Sequence, residues 1–276
     1  MIVKSDFKTI LKISKSFFKV TKWSKSAFLQ NVNPHRTFAS EIESNFQKET
    51  DIQNQIVTIM KQVVLIGASG FVGSAILREL LNRGNQVTAI VRNPEKITEH
   101  NDNLTVIKAD VADVDAVATA CKGKDAVISA YNPGWTNPNI YEETLKNYPL
   151  ILEAVKQSGV KRLLCVGGAG TLFCAPGLRV VDSGAIPEEI MGGVKSLGEF
   201  YLNTLINEKE LDWVFFSPAG SLEPGERTGK FRLGKDDLIV DANGNSHISV
   251  EDYAVAMVDE LEQEKHHQER FTIGYW

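Results

Sequence analysis

Gly67, Gly70 and Gly73, spaced three residues apart in "GASGFVG", are the arrangement by which a backbone comes against a pyrophosphate. The first makes a tight turn without a Cβ, and the second leaves room for the phosphates. The third lets the new helix pack on the preceding strand, whose neighbour it must be. Ser69, Phe71 and Val72 occupy the positions between and beside them. Unpaired N–H groups and a partial positive charge at the helix start supply the attraction for the anion. The pattern gains force from its place between the apolar run "KQVVLIG" and the amphipathic run "FVGSAILRELLNRG".

The next strand ends in "AIVRNPEK". A carboxylate at that strand end, about 20 residues after the glycines, serves the ribose 2′-hydroxyl of NAD. Arg92 stands there instead, with Lys96 close behind, and a guanidinium suits a 2′-phosphate, so NADP (NADPH) is favoured over NAD. Asp110 and Val111 close the third strand beside the expected adenine, with Asp110 set to accept from its amino group. Ala130 and Tyr131 close the fourth on the ribose and nicotinamide side. Trp135, Thr171 and Pro218 follow strands four, five and six, with Leu172 and Phe173, and are the expected lining for a substrate. A loop tryptophan stacks on a flat ring or covers the core under its loop, and the sequence leaves both open. Arg227 in "EPGERTG" fits a salt-bridged turn or an anionic substrate tail, and His247 fits a place near the substrate. His266 and His267 read as a solvated helix tail.

These residues need a scaffold that gathers strand ends. From residue 61 onward, apolar runs of strand length alternate with helical runs: "QVTAIVRN", "NLTVIKADV", "KDAVISAY", "VKRLLCVGG" and "LDWVFFSPA" follow the first strand. The helix "YEETLKNYPLILEAVKQSG" precedes the fifth strand and "GEFYLNTLINEKE" the sixth. Apolar strands alternating with helices specify an α/β fold, a Rossmann-type doubly wound parallel sheet covered on both faces. A small C-terminal substrate lobe is expected to hold "GKFRLGKDDLIVD" as a β-ribbon and "SVEDYAVAMVDELEQ" as a helix with an acidic first turn.

Composition sets the limits. A chain of 276 residues with 43% hydrophobic and 24% charged residues has the make-up of an ordinary globular protein, and its net charge of −5 opposes general nucleic-acid or anionic-membrane binding. Cys121, Cys165 and Cys174 form no C-x-x-C pair and no metal-ligand spacing. No metal site is expected, and the cysteines read as reduced, partly buried thiols of a cytoplasmic protein. The longest uncharged runs, rich in glycine, are too short for an integral membrane segment. Residues 60–276 are expected to form the dinucleotide-binding domain with its lobe. Residues 1–59 read as a basic N-terminal extension and linker, poorly ordered, and three interpretations stay open for them. They fit a basic amphipathic or targeting segment, a solvated tail, or sequence preceding a start at Met60.

With "VGGAG", "SPAGSLEPGERTGKFRLGKDDL" and "GNSHISVEDYAVAMVDELE", these motifs resemble the atypical short-chain dehydrogenase/reductase superfamily. The branch in question is that of small NAD(P)H-binding oxidoreductases, often described as NADH-flavin reductases. The resemblance covers residues 60–273 and implies NADP or NAD binding. One departure bears on chemistry: where the superfamily carries Tyr-x-x-x-Lys, Lys195 has Met191 four residues before it. Methionine carries no phenol to shuttle a proton. Hydride transfer to a small-molecule acceptor such as FMN, another flavin or a quinone does not need that pair, because water can protonate the reduced ring. A non-catalytic NADP(H)-binding redox sensor or regulatory protein fits the same residues. No catalytic residue is assigned and the oligomeric state stays open.

Overall fold

The computed structural model describes residues 60–276; the expectations for residues 1–59 lie outside the described residues. The described chain forms one eight-stranded sheet, with two two-stranded ribbons beside it. In chain order the elements are β1 (Gln62–Ile66), α1 (Phe71–Asn82), β2 (Gln86–Val91), β3 (Leu104–Lys108), α2 (Val114–Cys121), β4 (Ala126–Ser129), α3 (Ile140–Ser158) and β5 (Arg162–Val166). There follow β6 (Phe173–Ala175), β7 (Leu178–Arg179), α4 (Glu188–Glu199), β8 (Asp212–Ser217), β9 (Ser221–Glu223), β10 (Arg232–Gly234), β11 (His247–Ser249), α5 (Val250–Gln263) and β12 (Glu269–Gly274).

The strand order is β3-β2-β1-β4-β5-β8-β12-β10. All neighbours run parallel except the edge pair β10–β12. The order reverses between β1 and β4, which are themselves paired, Ile66 opposite Ser129. In such sheets the crevice beyond the carboxyl ends at that reversal is where ligands bind.

Alternation along each strand divides the core into two layers. Val63 and Leu65 of β1 face α1 and α5, while Val64 and Ile66 face α2 and α3. Burial on both faces explains why β1 reads as an unbroken apolar run rather than an alternating one. On the first face Phe216 stacks on Tyr253 and on Phe271, with ring centroids 4.3 and 4.1 Å apart, and His266 lies flat on Phe271 at 4.1 Å. His266 Nδ1 stands 2.6 Å from Glu260 Oε2, and His267 Nδ1 stands 3.0 Å from Asp212. His266 is therefore packed rather than solvated, while His267 stays exposed as expected and pairs with Asp212 at the surface.

Two local expectations differ from the structure. The segment read as a β-ribbon forms only the short β10. Ile239 turns back over Gly234 and Gly274, whose missing side chains leave it that space, and Asp236 O and Leu238 N pair with Phe173 instead. The helix before β8 begins at Glu188, then widens into a π-helical turn at Phe200–Thr204 and ends as 3-10 at Leu205–Asn207. The helix α5 matches its expected form. Ser249 Oγ accepts from Asp252 N at 3.0 Å, and Glu251 and Asp252 fill the first turn.

Candidate functional site

The loop from β1 to α1 is shaped by contacts a side chain would destroy. Gly67 has φ +81°, and a Cβ there would lie 2.5 Å from Ala130 O. A Cβ on Gly73 would lie 2.1 Å from Gly67 O, whereas one on Gly70 would meet nothing closer than Gly67 O at 3.4 Å. Gly67 and Gly73 thus allow backbone to touch backbone. Gly70 faces open space, where a bound group fits. α1 begins at Gly70 with no side-chain cap and no acid in its first turn. Its first N–H groups are left for another acceptor, and the helix dipole adds to their pull on an anion.

Those N–H groups open onto a cleft of about 220 Å³. Gly67, Ser69 and Gly70 line it on one side, Arg92, Asn93 and Lys96 on another, and Ala109, Val111, Ala130 and Tyr131 form its floor and wall. No Asp or Glu is among the lining residues, so the cleft is positively charged.

The structure therefore brings together seven of the eleven residues expected at the cofactor: Gly67, Ser69, Gly70, Arg92, Val111, Ala130 and Tyr131. The other four stand apart from the cleft lining. Phe71 is half exposed at the start of α1, Val72 packs against the core, and Gly73 is buried under the loop. Asp110 Oδ1 accepts from Ala112 N at 2.9 Å, so its carboxylate closes its own turn, and its neighbour Ala109 faces the cleft instead. Asn93, Ala109 and Asn132 are lining residues that sequence reasoning missed. Asn93 follows Arg92 directly and could have been found from that strand end.

The expected substrate residues do not line this cleft. Thr171 is buried, and its Oγ1 accepts from Arg270 Nη1 at 2.7 Å. Arg270 also pairs with Asp236 and lies over the Tyr201 ring at 5.0 Å. Thr171 thereby ties the turn after β5 to β12, whose Arg270 also reaches the segment after β10. Pro218 is buried. Trp135 keeps 52% of its surface exposed, and the edge of its ring rests on Gly193 of α4, where a Cβ would come within 2.6 Å of Cζ3. Lys195 on the same helix is exposed and Met191 half-buried.

Arg227 is already engaged. Its Nε and Nη2 donate to Glu79 Oε2 and Oε1 of α1, at 2.8 and 2.7 Å. The carboxylate is shared with Arg83, whose Nε donates to Oε1 at 2.7 Å. The bonds from Arg227 hold the Glu79 carboxyl below the usual glutamate range, against the effect of its burial. Burial pushes the Cys121 and Cys165 thiols up to about 12, which keeps both protonated and unreactive. Cys174 is exposed rather than partly buried. Among the described residues no group of His, Cys, Asp or Glu could hold a metal ion, and no helix is long and apolar enough to cross a membrane.

An uncapped helix start, a glycine loop and a cationic cleft at a strand-order reversal define a dinucleotide-binding α/β protein. Residues 67–264 match the NAD(P)H-binding family, and the chain belongs to that family, within the atypical short-chain dehydrogenase/reductase superfamily. It is 39% identical over 215 residues to the uncharacterised protein YwnB of Bacillus subtilis, covering 77% of this chain and 97% of that one. A solved structure from Bacteroides thetaiotaomicron, described as a proposed epimerase, is 66% identical. It superposes with a TM-score of 0.75 over 78% of this chain and 97% of that chain. A proposed NADH-flavin reductase from Streptococcus pneumoniae is 33% identical, with a TM-score of 0.69 over 78% of this chain and all of that one (100%).

Proposed function

We propose that the chain is an NADPH-dependent oxidoreductase that delivers hydride to a flat, small-molecule acceptor such as a flavin or quinone. The observation that carries the dinucleotide half is the uncapped start of α1 opening on a cleft lined by Arg92 and Lys96 and by no carboxylate. In this reading Gly67 and Gly70 bring backbone to the pyrophosphate, Ser69 and the first N–H groups of α1 hold its oxygens, and Arg92 and Lys96 hold the 2′-phosphate. Val111 and Ala109 pack on the adenine. Bound NADPH supplies the hydride.

The acceptor half rests on what α4 lacks. Met191 and the exposed Lys195 provide no tyrosine–lysine pair, which speaks against carbonyl reduction and sugar epimerisation by the superfamily's usual proton shuttle. A flavin or quinone takes its proton from water, so the protein has only to hold two rings face to face. The exposed indole of Trp135 offers one such ring surface beyond β4. The two solved structures named above carry different activities in their descriptions, so the choice of acceptor rests on α4 rather than on them.

The test follows NADPH absorbance with FMN, riboflavin and simple quinones added in turn. Saturable oxidation that vanishes in Gly70→Val, whose side chain would fill the pyrophosphate position, is the expected result. Tight NADPH binding without turnover on any acceptor would replace the enzyme with a redox-sensing binding protein.

A further inference from the structure

We propose that Tyr131 donates its phenolic hydrogen to an oxygen of the bound dinucleotide, and that Asn147 on α3 is the positioning residue that aims it; this rests on the dinucleotide reading above. Tyr131 follows β4 and lines the same cleft as Arg92, whose charge acts on it. Two consecutive residues of α3 hold it. Tyr148 Oη donates to the Tyr131 carbonyl at 2.9 Å, and Asn147 Nδ2 donates to Tyr131 Oη at 2.6 Å. The Tyr148 ring meets the Tyr131 ring edge-on, with centroids 5.6 Å apart at 76°. Backbone, ring and hydroxyl are thus all fixed from one side.

The direction of the hydrogen follows from the chemistry. A phenol oxygen that accepts from an amide N–H cannot send its own hydrogen along the same line. That hydrogen rotates away from α3, and among the described residues none accepts it. Burial raises the Tyr131 pKa, so the group remains a neutral donor across the physiological range. The charges around it are Arg92, Asp110 and Glu143. Arg92 is cationic and offers no acceptor, and among the described residues neither Asp110 nor Glu143 accepts from Tyr131 Oη. A half-buried O–H on a cleft wall with no protein acceptor calls for one on the ligand. The adjacent Arg92 sets its chemistry: a ribose or phosphate oxygen on the adenosine half. Thr144, one turn earlier on α3, donates to Ile140 O and does not compete for the Asn147 amide.

The experiment titrates NADPH and NADH into the full chain by calorimetry. Tyr131→Phe keeps the ring and should weaken binding about three- to tenfold, the worth of one neutral hydrogen bond. Equal loss for both nucleotides assigns the acceptor to a ribose or pyrophosphate oxygen. Loss confined to NADPH assigns it to the 2′-phosphate. Asn147→Asp supplies an acceptor that draws the phenolic hydrogen back toward α3. Its cost should be larger in the wild-type background than in the Tyr131→Phe background, by about the same three- to tenfold. The added negative charge alone would cost the same in both. Unchanged affinity in Tyr131→Phe, or an Asn147→Asp cost independent of Tyr131, would overturn the proposal. A wild-type chain that binds neither nucleotide would overturn the dinucleotide reading and this proposal with it.

Discussion

The glycine loop at residues 67–73 and the strap at residues 224–231, between β9 and β10, are held in opposite ways. The loop is held mainly by its own backbone. Gly67 N donates to Ile90 O, Gly70 N to Gly67 O and Ser74 N to Gly70 O, and the side-chain bond made there is local, Ser74 Oγ donating to Phe71 O at 3.1 Å. The strap is exposed from residue 224 to 230, with Phe231 packed against the core at its end, and is fastened by acids from two helices. Glu251 accepts from Gly225 N at 2.8 Å, and Glu79 accepts from Arg227. Asp252, fully buried, accepts from Gly229 N at 2.8 Å and from the hydroxyls of Thr228 and Tyr275 at 2.5 and 2.7 Å. A region that must leave space for a ligand cannot spend side chains on holding itself. A region with no ligand to seat can be fixed from outside.

Substitutions should separate the two cleanly. The largest effect is expected at Gly73→Ala, where the new Cβ and Gly67 O cannot coexist at 2.1 Å. About 3 kcal/mol of stability should be lost, seen as a large fall in the thermal midpoint. Gly70→Ala, whose Cβ would sit at an ordinary 3.4 Å contact with Gly67 O, should melt like wild type and lose only nucleotide affinity. If both unfold alike, the division between structural and ligand-facing glycines is wrong.

Asp252→Asn comes next. It removes a charge from three donors and should cost about 2 kcal/mol, with trypsin cutting at Arg227 or Lys230 before the rest of the chain opens. NADPH affinity should stay within about twofold, since the strap makes no part of the cleft lining. Arg92→Asp inverts this outcome, with a wild-type melting curve and NADPH binding weakened about tenfold, or 1.4 kcal/mol, more than NADH.

The smallest effect is a pH dependence. The Glu79 carboxyl is lowered from the ordinary 4.5. Its contribution to stability is therefore fully present above that value and is lost as pH falls through the lower folded-state value. Glu79→Gln should cost about 1 kcal/mol at neutral pH, a figure kept small because Arg227 is half exposed. It should also flatten the acid limb of the stability curve below pH 4.5. An acid limb unchanged in the variant would assign it to other carboxylates, Glu208 first, which is also lowered.

The same contrast explains what the sequence discloses. The cleft is written in short-range pattern: glycine spacing, the residue after a strand, the period of a helix. Arg92, Val111 and Ala130 are legible because each sits at a strand end, and strand ends are where a parallel sheet gathers a site. Asp110 falls outside the cleft lining, and its neighbour Ala109 lies in it. At a strand end, the residue that faces inward depends on how the chain turns, and Asp110 is used by Ala112. The strap is written in long-range pairs. Arg227 could be seen to want a carboxylate, yet Glu223 and Glu226 beside it are not its partner; Glu79, 148 residues away, is. Thr171 misled for the same reason, because its partner Arg270 is 99 residues distant. Asn147 gave no signal at all, being one polar residue on the buried side of a long helix.

The place of β12 in the sheet has a consequence for how the protein is made. It lies between β8 and β10, both of which leave the ribosome before it. Until it arrives, β8 presents an open, apolar edge carrying Val214, Phe215 and Phe216, the sort of surface that invites pairing with other nascent chains. β10 has no partner at all in that interval. Closure of the sheet is thus an insertion rather than an addition, and a stalled or clipped product lacking residues 269–274 would be sticky rather than merely shorter.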